Sequence, residues 1–411
     1  VYSLHYIADG DPLRVLADDW GLSLEAPAVT VPAGPCTVAV RGGRAITAAW
    51  PGFVDRALGI AVDVGSTTIA GHLVALASGE VLSSAGRMNP QIRFGEDLMS
   101  RVSYVMMNPG GDVELTGAVR TALDELATEL LDLADADPSH VLDMTLVGNP
   151  IMHHLFLGHD PTPLGQAPFP LATDGAVHTT ALALDIELPN ASVYVAPCIA
   201  GHVGADTAAA ILSEGPHRSS KMQLLVDVGT NAEIVLGNEE QLFAASSPTG
   251  PAFEGAQISA GQRATAGAIE RVRIDRDTLE PSFRVIGSDL WSDEDGFAAE
   301  TAKTGVTGIC GSGIIEAISE MVSAGIIDAQ GVIVGDLAAR TERVVPTGRT
   351  FAYRLHGEMF VTQDDVRAIQ LAKAALRAGI ELLLEHAGLD TVDEIRLAGA
   401  FGAHIDPAHA M

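Results

Sequence analysis

The sequence has 411 residues, with 53 acidic against 24 basic side chains and a formal net charge of −29. That balance excludes the clustered Lys and Arg a nucleic-acid surface needs. The only lysines, Lys221, Lys303 and Lys373, stand in no G-x-x-x-x-G-K-[ST] frame, which excludes a P-loop NTPase. At 47% hydrophobic the chain is long enough for two or three cores. Cys36, Cys198 and Cys310 are far apart and form no C-x-x-C pair, as in a reducing compartment. No apolar run approaches about 18 residues, and a secretory leader is not expected. The expectation is a soluble, cytoplasmic chain without membrane or nucleic-acid partners. Val1 is not an initiator Met, so the N-terminus is expected to have been cut or left out.

Residues 1–57 read as a small β-rich segment with turns at Ala33-Gly34-Pro35, Arg41-Gly42-Gly43 and Trp50-Pro51-Gly52. From Leu58 the pattern changes. An apolar strand runs to Val64, Gly65-Ser66-Thr67-Thr68 turns the chain, and strands over Ile69–Leu76 and Val81–Ala85 complete a three-stranded meander. Helical spacing follows over Glu114–Ala134, with strands at Met144 and Ser192. About 164 residues after the first meander its design returns: Leu224–Asp227, a Gly229-Thr230-Asn231 turn, then Ala232–Leu236 and Gln241–Ala245. Helices are expected over Gly311–Ala324 and Asp364–Ala387, the latter capped by Thr362 with Asp365 three residues on. Glu394 opens a closing strand. The domains expected are 1–57, 58–213 and 214–411, the last two being α/β lobes built on meanders.

Asp63-Val-Gly-Ser-Thr aligns with Asp227-Val-Gly-Thr-Asn. A strand-end Asp before a Gly-Ser/Thr turn offers a carboxylate for Mg²⁺ and turn amides for a phosphate. One copy is equally an ordinary hairpin corner. Two copies, facing each other across a cleft, would clamp a nucleotide through Asp63, Gly65, Ser66, Thr67, Asp227, Gly229, Thr230 and Asn231, with Asp63 and Asp227 on the metal. Gly399 and Gly402, after the closing strand, would let backbone approach a base or ribose. Gly311, Ser312 and Gly313 open a helix whose amides suit a phosphate or adenosine group. Either glycine cluster also reads as a plain helix-entry turn.

This order resembles the ASKHA superfamily of acetate and sugar kinases, Hsp70 and actin: phosphate-1 at Asp63–Thr67, phosphate-2 at Asp227–Asn231, adenosine motif at Gly399–Gly402. The family's connecting helix would be Gly201–Ala210, rich in small residues. Longer motifs are similar to the reductive activators of corrinoid proteins: Asn89-Pro-Gln-Ile-Arg-Phe-Gly-Glu-Asp, Val147-Gly-Asn-Pro-Ile-Met-His-His-Leu-Phe, Ser247-Pro-Thr-Gly-Pro-Ala-Phe-Glu-Gly-Ala, Gly308-Ile-Cys-Gly-Ser-Gly-Ile-Ile and Gln370-Leu-Ala-Lys-Ala-Ala. The resemblance implies an ATPase whose hydrolysis of Mg-ATP accompanies reduction of Co(II) to Co(I) on a corrinoid protein of a methyltransferase system. It also implies a low-potential electron donor, an N-terminal [2Fe–2S] domain and, as a candidate, a homodimer. The cluster spacing C-x₄-C-x₂-C is absent, so the iron–sulfur domain is expected upstream of this chain, which is read as a piece of a longer polypeptide.

Asp206, starting the connecting helix, and Glu233, on the strand face of Asn231, are the candidates for activating water. His153 and His154 read as a polar helix entry and Cys310 as a buried small residue. The run Glu254–Gly267 reads as a loop over the cleft or a partner surface. Two other functions fit the fold: a small-molecule kinase, and a non-enzymatic nucleotide switch.

Overall fold

The computed structural model describes residues 1–25, 29–95, 97–229, 231–255, 257–402 and 405–410, with backbone alone for Ala400, Phe401 and Ala410. The described residues form two compact units, Val1–Ala209 and Ala210–Met411.

The first unit opens with an antiparallel sheet of β1 (Tyr2–Ile7), β2 (Cys36–Arg41) and β3 (Ala45–Pro51), with α1 (Pro12–Trp20) after β1. Period-2 alternation sends Cys36, Val38 and Val40 into a small core with Leu16 of α1. The opposite face puts Ala39, Ala48 and Trp50 against Leu142. The turns named from sequence hold: Gly34, Gly42, Gly43 and Gly52 all have positive φ.

A six-stranded sheet follows, built from β4 (Leu58–Val64), β5 (Thr68–Ala75), β6 (Val81–Met88), β7 (Val141–Gly148), β8 (Val177–Thr180) and β9 (Ser192–Val195) in the order β6-β5-β4-β7-β9-β8. The β4–β6 meander is antiparallel, and β7 joins β4 in parallel with Asp63 opposite Val147. Helices α2 (Leu98–Met107), α3 (Gly111–Leu133) and α4 (Pro150–Leu157) complete the unit, and α5 (Ala205–Glu214) carries the chain out of it. Leu123, Leu126 and Leu130 of α3 are fully buried. Their close approach to the sheet needs Gly71, where a β-carbon would lie 3.0 Å from Leu126.

The second unit repeats the design. Strands β10 (Gln223–Asp227), β11 (Ala232–Gly237) and β12 (Leu242–Ser247) form the meander. Beyond it lie two smaller sheets that sequence periodicity did not reveal. One holds β13 (Ala268–Ile274), β14 (Pro281–Val285) and β15 (Gly308–Ile309); the other holds β16 (Val344–Thr347), β17 (Thr350–His356) and β18 (Met359–Thr362). The helices are α6 (Phe297–Glu300), α7 (Gly311–Ser323), α8 (Gln363–Ala387), α9 (Gly399–Gly402) and α10 (Pro407–Ala410). β19 (Glu394–Ala398) pairs with β10 in parallel, giving the order β12-β11-β10-β19. The match to β6-β5-β4-β7 is strand for strand. As α3 backs the first meander, α8 backs the second: Ser247 Oγ donates to the Ala375 carbonyl at 2.7 Å. The capping box of Thr362 and Asp365 is formed as the sequence predicts.

Candidate functional site

Each repeat brings a strand-end Asp beside a glycine at the end of the neighbouring parallel strand. This edge, at the carboxyl ends of parallel strands, is where α/β sheets commonly take ligands. In the second unit Asp227 lies opposite Ala398, and the next residue, Gly399, has φ 83°. A β-carbon on Gly399 would fall 2.2 Å from Asp227 Oδ1. Asp227 and Gly399, 172 positions apart in sequence and read there as parts of separate motifs, are thus brought into contact. Burial raises the Asp227 carboxyl above its ordinary range.

Gly229 is held from behind by Thr249 Oγ1, which donates to its carbonyl at 2.8 Å. Space at Gly229 is bounded by Glu254 Oε1, 3.7 Å from where a β-carbon would sit. Thr249 and Glu254 carry no periodic signal; they stand in the Ser247–Ala256 motif, whose polar residues are the one mark that could have found them. Asn231 precedes β11 and is half-buried. Glu233, in register with Asp227, accepts from Ser246 Oγ at 3.2 Å. Thr230 lies outside the described residues. Within the 254–267 loop, Gly255 and Gly261 pack backbone to backbone, and Ser259 N donates to Asp365 Oδ1 at 2.8 Å.

Gly402 closes the short α9 and is buried against Leu397. Gly311, Ser312 and Gly313 are buried at the start of α7, capped by Cys310. At Gly313 a β-carbon would lie 2.1 Å from the Ile269 carbonyl, so helix–sheet packing alone demands glycine there. Cys310 is buried, its Sγ donating to the same carbonyl at 3.2 Å.

In the first unit Asp63 is exposed near the end of β4, in register with Ala70 and Val147. Gly65, Ser66 and Thr67 are half-buried, and a side chain at Gly65 would strike the Thr68 carbonyl at 2.4 Å. The connecting helix begins at Ala205 rather than Gly201; Gly201 and Gly204 lie in the turn before it. That turn is pressed onto the end of β7, where a Gly204 β-carbon would meet both the Gly148 carbonyl and Asp206 Oδ1 at 2.5 Å. Asp206 therefore lies at the carboxyl ends of the parallel strands, its Oδ1 accepting from Thr207 N at 2.7 Å.

The polar helix entry expected at His153 and His154 is corrected: both are buried. Burial pushes His153 down to about 4, so it is neutral at physiological pH. His154 donates from Nδ1 to the Pro150 carbonyl at 2.7 Å and accepts at Nε2 from Ala172 N at 2.9 Å. Asn149 caps the start of α4.

Among the described residues, Glu316, Asp406 and His409 are close enough together to hold a metal. Glu316 is already engaged by Arg271 at 2.7 Å and Arg273 at 2.8 Å, a fastening of α7 to β13. No described helix is long and apolar enough to cross a membrane.

Residues 58–219 match the family described as RACo middle region, and residues 221–411 match the C-terminal domain of RACo, the ASKHA domain. The chain belongs to the RACo family. It is 35% identical over 371 residues to the corrinoid activation enzyme RamQ of Eubacterium limosum, covering 86% of this chain and 59% of that protein. It is 25% identical to the [Co(II) methylated amine-specific corrinoid protein] reductase of Methanosarcina barkeri, over 86% of this chain and 64% of the relative. The chain thus spans about three fifths of the length of these curated relatives. A solved structure of a reductive activator for corrinoid, iron–sulfur protein superposes with a TM-score of 0.84 at 29% identity, covering 100% of this chain and 68% of that one. The α/β ASKHA fold with duplicated meanders expected from sequence is the fold of this RACo chain.

Proposed function

We propose that this RACo chain is the ATP-hydrolysing portion of a cytoplasmic reductive activator, acting on the corrinoid protein of a methyltransferase system. The observation that carries the reading is the strand-end Asp227 against Gly399, with the same strand order in the first unit setting Asp63 opposite Val147, one residue before Gly148. A buried carboxylate raised by desolvation gains stability from a cation, so the donor chemistry fits Mg²⁺ at Asp227. Bound Mg²⁺ would neutralise phosphate charge. The chain's own groups do the rest. The Gly65–Thr67 turn would offer backbone amides to phosphate, as would Gly229 and Asn231, Gly399 and Gly402 would bring backbone to the adenosine end, and Asp206 or Glu233 would accept the proton of the attacking water. Gly311–Gly313 would contribute the amides at the start of α7.

The electron comes from elsewhere. Cys36, Cys198 and Cys310 are each buried and free, and their sequence spacing does not suit a [2Fe–2S] cluster. One electron from a low-potential ferredoxin-type donor converts Co(II) to Co(I). ATP can help if the ATP-bound or product-bound form prefers the strained, more easily reduced conformation of the Co(II) partner over its relaxed one, because only differential affinity shifts that conformational equilibrium; weaker binding of the Co(I) partner then releases the product.

The test is anaerobic titration of a corrinoid protein with this chain and Mg-ATP. The chain should bind the Co(II) partner in preference to the Co(I) partner, shift the Co(II) spectrum and hydrolyse ATP faster in its presence, without forming Co(I). Adding a [2Fe–2S] ferredoxin-type donor and a low-potential reductant should then produce Co(I). Equal, weak binding of both cobalt states with no change in ATP turnover would refute the reading.

A further inference from the structure

Behind the phosphate-1 turn lies a buried polar network that none of the roles above uses. Asn89, Gln91 and Arg101 are all buried, and Arg101 is fully so despite being a charged residue on a ten-residue helix. Their donors converge on one short stretch of backbone. Asn89 Nδ2 donates to the Gly65 carbonyl at 2.9 Å, Arg101 donates to the Ser66 carbonyl, and Asn89 N donates to the Thr67 carbonyl at 2.9 Å. Three consecutive carbonyls are thus tied to the same side.

The guanidinium is itself fixed. It donates to the Gly95 carbonyl at 3.0 Å, to Gln91 Oε1 at 3.2 Å and to Met152 Sδ at 3.2 Å. Gln91 in turn donates to the Leu115 carbonyl of α3 at 2.9 Å. The turn is therefore braced against two helices, α3 and α4. Burial lowers the guanidinium to about 10 against the pull of Asp97, which leaves it protonated at neutral pH.

In a trans peptide the carbonyl of one residue and the N–H of the next point in opposite directions. With the Gly65 and Ser66 carbonyls drawn inward, the amides of Ser66 and Thr67 are turned to the opposite side of the turn. Successive amides so arranged attract an oxyanion. A buried cation on the carbonyl side deepens that attraction in a low-dielectric surrounding.

We propose that Arg101 and Asn89 are positioning residues that hold the Gly65–Thr67 turn in the form that receives a phosphoryl oxyanion. This rests on the nucleotide reading above. Two variants test it. Arg101→Met removes the guanidinium and keeps an unbranched chain beside Met152. Asn89→Ser keeps a side-chain oxygen to cap Gln91 N and removes the donor to Gly65. Calorimetry with Mg-ATP and with adenosine is the readout. Mg-ATP affinity should fall about tenfold in each folded variant while adenosine is held as before, and Arg101→Lys should recover part of the loss.

Wild-type Mg-ATP affinity in either cooperatively melting variant overturns the proposal, and so does an equal loss for both ligands. Should Arg101→Met fail to fold, Asn89→Ser decides alone. Failure of the unaltered chain to bind Mg-ATP would bring down the nucleotide reading instead. The positioning role would then be judged on a crystal structure of Asn89→Ser, supported by a displaced Gly65–Thr67 turn and overturned by an unmoved one.

Discussion

The Asp227 carboxylate occupies the space that a side chain on Gly399 would need: a β-carbon there would come within 2.2 Å of Oδ1. Gly399 also has φ 83°, a conformation open to few other residues. Gly399→Ala is therefore opposed twice, by backbone strain and by the carboxylate. It should cost about 1–3 kcal/mol in unfolding free energy and weaken Mg-ATP. In a double-mutant cycle, Asp227→Ala should recover part of the loss, because the clash goes while the strain stays. Urea unfolding of the four proteins checks this; strict additivity would separate the two residues.

Asp227 links stability to pH. Its native carboxyl is raised by burial, so the folded state binds the proton more tightly than the unfolded one. The stabilisation this gives is present at low pH and fades as pH rises from the ordinary carboxylate value through the raised native one. Above that window, ligand-free Asp227→Asn should melt higher than the parent chain, yet Mg-ATP should no longer raise its melting temperature. Mg-ATP affinity of the parent should fall as pH drops into the window. A lower melting temperature for ligand-free Asp227→Asn at pH about 7 would contradict this linkage.

Thr249→Val keeps the shape of the side chain and removes the hydroxyl that holds the Gly229 carbonyl. The loss should be about 1–2 kcal/mol, with Mg-ATP weakened more than adenosine. Thermal melts and calorimetry on the one variant give both values.

Asp365 serves two masters. It closes the capping box of α8 through Thr362 N at 2.8 Å and holds Ser259 through its other oxygen. Asp365→Ala should cost about 2 kcal/mol or more and expose the 255–262 segment to protease. Ser259→Ala should reproduce the protease sensitivity with a smaller loss of stability. Limited proteolysis followed by mass mapping distinguishes them.

Anaerobic reconstitution with iron and sulfide should leave this chain colourless, since its cysteines are buried and widely spaced in sequence. A visible chromophore with stoichiometric iron, lost in Cys310→Ser, would show the opposite.

The two meanders were legible because alternating apolar residues and Gly turns are local signals, and both Asp–Gly turns sit where the alternation ends. The cap at Thr362 was legible for the same reason. What escaped was non-local. Gly148 and Gly399 are equivalent only through strand order, and single glycines have no period. Arg101 looks like a solvent-facing charge on an amphipathic helix until its carbonyl partners, 35 residues back at Ser66, are in view. His153 and His154 misled in the other direction, polar by type but enclosed by α4 packing. Of the strands from β13 to β18, β15, β16 and β18 have four residues or fewer, Pro281 opens β14 and Pro346 lies within β16, so their pattern is weak.

Pairing β10 with β19 joins segments 171 residues apart, with almost the whole second unit between them. Loop closure on that scale is paid late in folding, since the intervening sheets and α8 must be near their final places before the ends can meet. Until then β10 has an open edge made of Leu224, Leu225 and Val226, a template for wrong strands. On the ribosome this edge emerges long before its partner. Assembly of the Asp227–Gly399 contact must wait until the 172 residues from one to the other have been made, and the stretch from Leu224 to Val226 is where a chaperone would be needed in the interval.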